Sequence, residues 1–299
     1  MEINHIIEIG CYVLAAYLFF YAWKLGPVNF FIMLAAALFG FLAEHKALST
    51  IPQPYHYPPA LINLPGQIPL DIVLGWSIII FSVMHIARLT GISWKIQPLF
   101  AGFLAVLIDF VEDPSFVAMK EWIWTPPYPD AWFGIPWSNY VGWFLIVVCF
   151  LFSLEFLYRR WPAGKKIWRD ALIAFGALIP AFIGFMIGIE GFLYLTTTAG
   201  INETLLTFIF FGIAAIPVFI NIPKMRRDNP FQWQFVAMTV YMYFWSFVGL
   251  FYTGLYLTEG ALALVMPITA TLGMLAFLWP FLDRLGCCQH NITSNTERG

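Results

Sequence analysis

Nine apolar runs dominate this chain, at 6–23, 28–43, 68–86, 97–111, 140–158, 171–195, 205–222, 235–257 and 262–282. About 20 mostly apolar residues cross a bilayer as a helix, because hydrocarbon offers no water to satisfy a free backbone. The fourth run is short, which suits a half-helix buried against its neighbours as well as a full crossing. Charged residues make up 11% of the 299 residues and apolar ones 61%, with a mean hydropathy of +0.77. Ordinary soluble domains carry about 25% charge, so a soluble fold would have no means of covering this much apolar surface. The expected fold is all-α, a polytopic integral membrane helical bundle of about eight or nine transmembrane helices. Neither a polar linker nor an internal repeat divides it. Residues 1–286 therefore read as a single transmembrane domain and 287–299 as a short polar C-terminal tail.

The basic residues predict how the bundle sits in the cell membrane. With each loop numbered by the helix it follows, the odd loops and the tail carry thirteen Lys and Arg residues, among them Lys24, Arg88, Lys165, Lys166, Arg226 and Arg298. The even loops carry only Lys46 and Lys120. Loops rich in Lys and Arg stay cytoplasmic, so the N-terminus is expected outside and the C-terminus in the cytoplasm. The first residues are acidic and precede no small-residue cleavage site, so no cleavable signal is expected. A formal net charge of −2, without a long basic cluster, gives no footing for nucleic acid. Cys11 and Cys149 read as small buried hydrophobes. Cys287 and Cys288 fit an idle tail or a palmitoylation site. Asn202-Glu203-Thr204 and Asn291-Ile292-Thr293 match a glycosylation pattern that short polar sequences meet by chance.

Chemistry concentrates between residues 109 and 143. Asp109, Glu112 and Asp113 are spaced i, i+3, i+4, which puts three carboxyls on one helix face. Pro114 is expected to end that helix at about Asp113, since the residue before a proline prefers an extended backbone. Like charges crowded in a low dielectric do not all ionise, and a carboxyl kept neutral near pH 7 is a general acid. The same acids also fit a polar helix end that faces interfacial water. Asp109 favours the functional reading, because ionisable residues inside an apolar run are costly. Trp122, Trp124, Tyr128, Trp132, Trp137 and Trp143 follow. Any one of them fits an interfacial aromatic belt. Ring faces also stabilise a cation, by about 2 kcal/mol or more each where water is excluded. Ser138 and Asn139 fit either a helix cap or a water-holding pair.

A second polar island runs from Glu44 to Pro69. Its prolines make it stiff, more a cap than a linker. Tyr55, His56 and Tyr57 lie within it, and Trp76 follows in the next helix. His45, His56 and His85 show neither HxxxH nor HExxH spacing, so no metal site is expected. Neither a DDxxD diphosphate motif, a GxSxG elbow nor a phosphate loop is present.

Taken together, Asp113-Pro114, Trp122-x-Trp124 and the string Phe133-Gly134-Ile135-Pro136-x-Ser138-Asn139-x-x-Gly142-Trp143 resemble the membrane carotenoid hydratases of the CruF type, including the bisanhydrobacterioruberin hydratases. Glu44, Tyr55-x-Tyr57 and Gly66-x-Ile68-Pro69-Leu70 followed by Trp76 match as well, so the resemblance spans roughly residues 40–160. It implies addition of water to a terminal carbon–carbon double bond of an acyclic carotenoid such as lycopene, giving a tertiary alcohol without cofactor or metal. On that reading the catalytic candidates are Asp109, Glu112, Asp113, Glu44 and Asn139. The candidates for holding the isoprenoid lipid substrate are Trp122, Trp124, Tyr55, Tyr57, Trp76, Ser138 and Trp137. Two other readings stay open. Membrane lycopene cyclases share a similar layout and also protonate an end group, although they carry acids where this chain has Ser138-Asn139. A proton-coupled transporter or lipid-binding scaffold would use the same acids as a relay. The absence of inverted repeats weighs against that last reading.

Overall fold

A computed structural model describes residues 3–125, 131–161 and 167–286. Tyr128, Lys165, Lys166, Cys287, Cys288, Asn291 and Arg298 lie outside the described residues, as does the predicted tail. Helices α1 (Ile3–Leu25), α2 (Pro27–Leu48), α3 (Leu70–Leu89), α4 (Gln97–Ala118) and α5 (Trp137–Arg160) come first. They are followed by α6 (Ile167–Gly176), α7 (Leu178–Leu193), α8 (Glu203–Asn221), α9 (Ala237–Tyr252), α10 (Leu255–Thr258), α11 (Gly260–Leu278) and α12 (Leu282–Gly286). Four two-residue strands lie in the loops: β1 (Tyr55–His56), β2 (Asn63–Leu64), β3 (Ile68–Pro69) and β4 (Ile123–Trp124). The chain is thus an all-α polytopic membrane protein. Among the described residues, seven helical segments are long and apolar enough to cross a membrane, with α6 and α7 acting as one of them. The remaining two predicted runs fall on α4, which carries the three carboxyls, and on the shorter α9.

Proline sets several helix starts. Pro27 and Pro98 occupy the first turns of α2 and α4, where a missing N–H costs nothing. Pro114 behaves otherwise than the sequence predicts. It lies inside α4, which continues four residues beyond it to Ala118. Its ring removes the hydrogen bond to the carbonyl of Phe110, a loss that would end an isolated helix. Here α3, α5, α9 and α11 all pack on α4, so burial of nearly every side chain from Phe100 to Phe116 outweighs it.

α3 and α4 form the centre of the bundle, and α1, α2, α5, α9 and α11 surround them. The outer faces are apolar rather than polar: Ile179, Ile187, Phe219 and Leu264 are each at least two-thirds exposed. In lipid such a face carries no hydration penalty. The N-terminus, the strand-bearing loop after α2, the turn after α4 and the start of α8 gather at one end. Asn4 donates to the Met119 carbonyl (3.4 Å), and the Ser138 N–H donates to Glu203 Oε1 (2.6 Å). At the other end, Arg226 N–H reaches the Thr90 carbonyl at 2.8 Å, and Asn229 Nδ2 bridges the carbonyls of Leu89 (3.0 Å) and Pro280 (3.1 Å). Each of α3, α4, α5, α8, α9 and α11 therefore runs from one end to the other.

α2 and α3 touch closely because position 40 is glycine. A Cβ placed there would stand 2.5 Å from Trp76 Cβ, a contact that neither helix can relieve by rotating a side chain. Gly40→Ala is expected to destabilise the protein by about 1–3 kcal/mol, the usual cost of overpacking. It is also expected to displace the Trp76 indole. Unfolding in detergent and the tryptophan fluorescence maximum would show both effects, and an unchanged midpoint would refute the tight contact.

Candidate active site

Beneath the end where the loops gather lies a half-open cavity of about 80 Å³. Its walls come from α1, α3, α4, α5, α9 and the end of α2, and its cover from the two loops. The cover is held by a short antiparallel ladder in which Tyr55 pairs with Trp124 and His56 with Ile123. The Thr125 N–H adds a bond to the Pro54 carbonyl at 2.8 Å. The proline-rich segment and the segment after α4 thus close over the cavity as one piece.

Glu44, at the end of α2, is the anchor of that piece. Its Oε2 accepts from the Tyr55 hydroxyl at 2.5 Å and the Tyr57 hydroxyl at 2.8 Å, and its Oε1 accepts from Trp76 Nε1 at 2.8 Å. Burial, and then the Glu44 carboxylate, push the pKa of both phenols well above their ordinary value, so the hydroxyls remain donors. Aromatic rings continue from this anchor around the wall. Tyr55 meets Trp124 at 4.9 Å, Trp122 meets Phe116 at 5.6 Å, and Trp76 meets Trp143 at 4.4 Å between centroids.

Opposite the anchor stand the acids of α4. Asp109, Glu112 and Asp113 are 0%, 3% and 2% exposed, and no Lys or Arg pairs with any of them among the described ion pairs. Asn139 Nδ2 donates to Asp113 Oδ2 at 2.6 Å and to Asp109 Oδ2 at 3.0 Å, so one side-chain amide holds two carboxyls together. The Trp122 indole also bonds Asp113. Glu112 faces the cavity with an Oε2 that has no hydrogen-bond partner. Asp113 lines the cavity, whereas Asp109 stands one turn behind it and reaches the site through Asn139.

Glu44, Tyr55, Tyr57, Trp76, Glu112, Asp113, Trp122, Trp124 and Asn139 therefore surround one space. Ser138 and Trp137 do not. Trp137 packs on Phe110, Trp132 and Tyr140 in a separate aromatic cluster, and the Ser138 backbone N–H is taken by Glu203. Neither Ser138 nor Asn139 caps α5. Pro136 stands at the cap position, and Glu203 from α8 supplies the acceptor. Asn202 likewise serves as a helix cap, accepting from the Leu205 N–H at 2.9 Å. Glu190 pairs with Lys46 at 2.9 Å and is half-exposed, away from the cavity.

Trp143, named in the sequence as one ring of the aromatic run, Cys11, read as a small buried hydrophobe, and Asp71 and Tyr241, which the sequence did not single out, also line the cavity. Trp143 follows Asn139 by four residues, a spacing that puts both on one face of α5. Tyr241, whose hydroxyl bonds the Ile7 carbonyl, and Cys11 carry no such local signal, because they arrive from α9 and α1. Among the described residues, no group of three or more His, Cys, Asp or Glu is arranged to hold a metal ion.

Chemically, the arrangement offers a buried carboxyl pair, a wall of ring faces and an unpartnered carboxyl oxygen on Glu112, the parts that proton transfer and cation stabilisation use. A family profile described as carotenoid biosynthesis protein matches residues 5–214, well beyond the stretch whose motifs are legible by eye. A bisanhydrobacterioruberin hydratase from Haloarcula japonica is 27% identical over 111 residues. That stretch covers 37% of this chain and 32% of the relative, so the alignment spans about a third of each. No solved structure matches.

Proposed function

Because the chain belongs to the carotenoid biosynthesis protein family, we propose that it adds water to a terminal double bond of an acyclic carotenoid. What carries this reading is one observation: Asp109 and Asp113 share the amide of Asn139 at the edge of a cavity walled by aromatic rings. The catalytic sequence starts with Asp113 in its protonated form. Its O–H proton passes to the less substituted alkene carbon, a C–H bond forms, and a tertiary cation remains on the neighbouring carbon. Trp76, Trp143 and Trp122 face that cation, each worth about 2 kcal/mol or more if water is excluded. A water beside Glu112 then forms the C–O bond, and its proton goes to the unpartnered Oε2. Return of that proton to Asp113 resets the site, with one water consumed.

Within this scheme the residues divide their roles. Asn139 positions the acid pair, since both of its amide hydrogens are engaged there. Glu44 shapes the wall rather than accepting the proton, since three donors already occupy its oxygens. Ser138 and Trp137, candidates on the resemblance, have no part in it. The end that carries the site faces outward on this reading, because the Lys- and Arg-rich loops lie at the other.

The test is production of the protein in a lycopene-making host, followed by mass analysis of the pigments. A product heavier than lycopene by one water, or by two where both ends react, is expected. A pigment of unchanged mass with a shortened chromophore would mean that an internal alkene traps the cation, and the chain would be a cyclase. Unchanged lycopene, with proton-coupled uptake by vesicles, would revive the transporter.

A further inference from the structure

A hydratase buried among apolar helices has to obtain a water for every turnover, and its substrate fills the apolar side of the cavity. A second hollow, of about 20 Å³ and so with room for about one water, lies beside the first and shares Asp71 and Ile72 with it. Its remaining walls are of a different character: Asn4, Glu8, Lys120 and Glu121 supply polar groups, and Pro59 and Lys120 are exposed at its mouth. Asp71 sits in the first turn of α3, where the backbone N–H groups of that turn bond its carboxyl. Its Oδ1 has no partner, although the residue is only 8% exposed. A buried carboxyl oxygen left unpaired between two hollows is costly unless a mobile water completes it. Glu121, on the loop side, has a second unpartnered oxygen, and burial with Asp71 and Glu8 nearby pushes its pKa up to about 8. That shift favours its protonated form near pH 7, which gives the hollow a carboxyl donor as well as acceptors. Beyond the shared wall stands Glu112, the group that takes the proton from water, within electrostatic reach of both Asp71 and Glu121.

We propose that the second hollow is the water entrance, and that water passes Asp71 and Ile72 from it to Glu112. This rests on the hydratase reading and adds a route and a positioning residue to it. Two variants interrupt the route at different points. Asp71→Leu removes the polar wall, and Ala60→Trp fills the mouth from the loop after α2. The assay incubates lycopene with membranes in D2O and measures hydrated product together with deuterium in the recovered lycopene. With the protein in excess over lycopene and equilibrated in D2O beforehand, the acid pair already holds one deuteron; its transfer to the alkene, followed by return of a proton from the cation to the emptied carboxyl, labels one lycopene per site without a fresh water. A site starved of water therefore still exchanges. For both variants, the ratio of exchange to hydration is expected to rise at least about tenfold over the wild type. Hydration at the wild-type rate in either variant would overturn the entrance. So would hydration and exchange falling together, because the fault would then lie in proton delivery or folding. A wild type that forms no hydrated product defeats the hydratase reading itself, whatever the variants do.

Discussion

Asp113→Asn is expected to slow the hydration of lycopene in membranes by about 10²- to 10⁴-fold, the range that a positioned general acid supplies. The substitution keeps the shape of the side chain and removes only the transferable proton, so substrate affinity is expected to change little. Asp109→Asn is expected to cost less, about tenfold. Asp109 does not line the cavity and works on its neighbour through the shared Asn139 amide. Turnover and KM measured on both variants separate the roles. If Asp109→Asn proves the more damaging, the proton leaves from the deeper carboxyl. If both variants turn over like the wild type, the acid lies elsewhere and the scheme fails.

The second large effect is structural. Glu44→Leu strands the hydroxyls of Tyr55 and Tyr57 and the indole of Trp76, three donors that now end on one carboxylate. Each unsatisfied buried donor costs about 1–3 kcal/mol, so a loss of at least about 3 kcal/mol is expected. Glu44→Gln keeps one acceptor oxygen and replaces the other by a donor, and is expected to recover part of that loss. Unfolding in detergent, read beside turnover in membranes, distinguishes an anchor from a proton acceptor. An anchor loses stability and activity together in graded order. A proton acceptor would lose activity equally in both variants with stability intact.

Much of this architecture is legible without coordinates, for a physical reason. A bilayer accepts few backbone solutions, so apolar runs translate into helices almost directly, and the 3.6-residue period then places Asp109, Glu112 and Asp113 on one face. What stayed hidden depends on neighbours. Pro114 reads as a stop by local rules, and packing by four helices carries α4 through it. Ser138 and Asn139 are adjacent in sequence yet part company in space. A step of one residue turns a helix by about 100°, so the Asn139 side chain faces the acids while Ser138 lies off the cavity. Asp71 was missed because an acid just after Pro69 reads as an ordinary first-turn residue. Only the packing of α1 and the turn at Glu121 against α3 makes it a wall between two hollows.

The modest size of the main chamber has a bearing on any symmetrical polyene it serves. A cavity of about 80 Å³ is far smaller than a long polyene, so on the hydratase reading only the tip of such a rod enters it and the two termini are handled on separate visits. Between visits the molecule carries one hydroxylated head and one oily one. The hydroxylated head prefers the headgroup layer, and the untouched terminus is left in the hydrocarbon. To be modified twice, the rod has to turn end over end within the membrane.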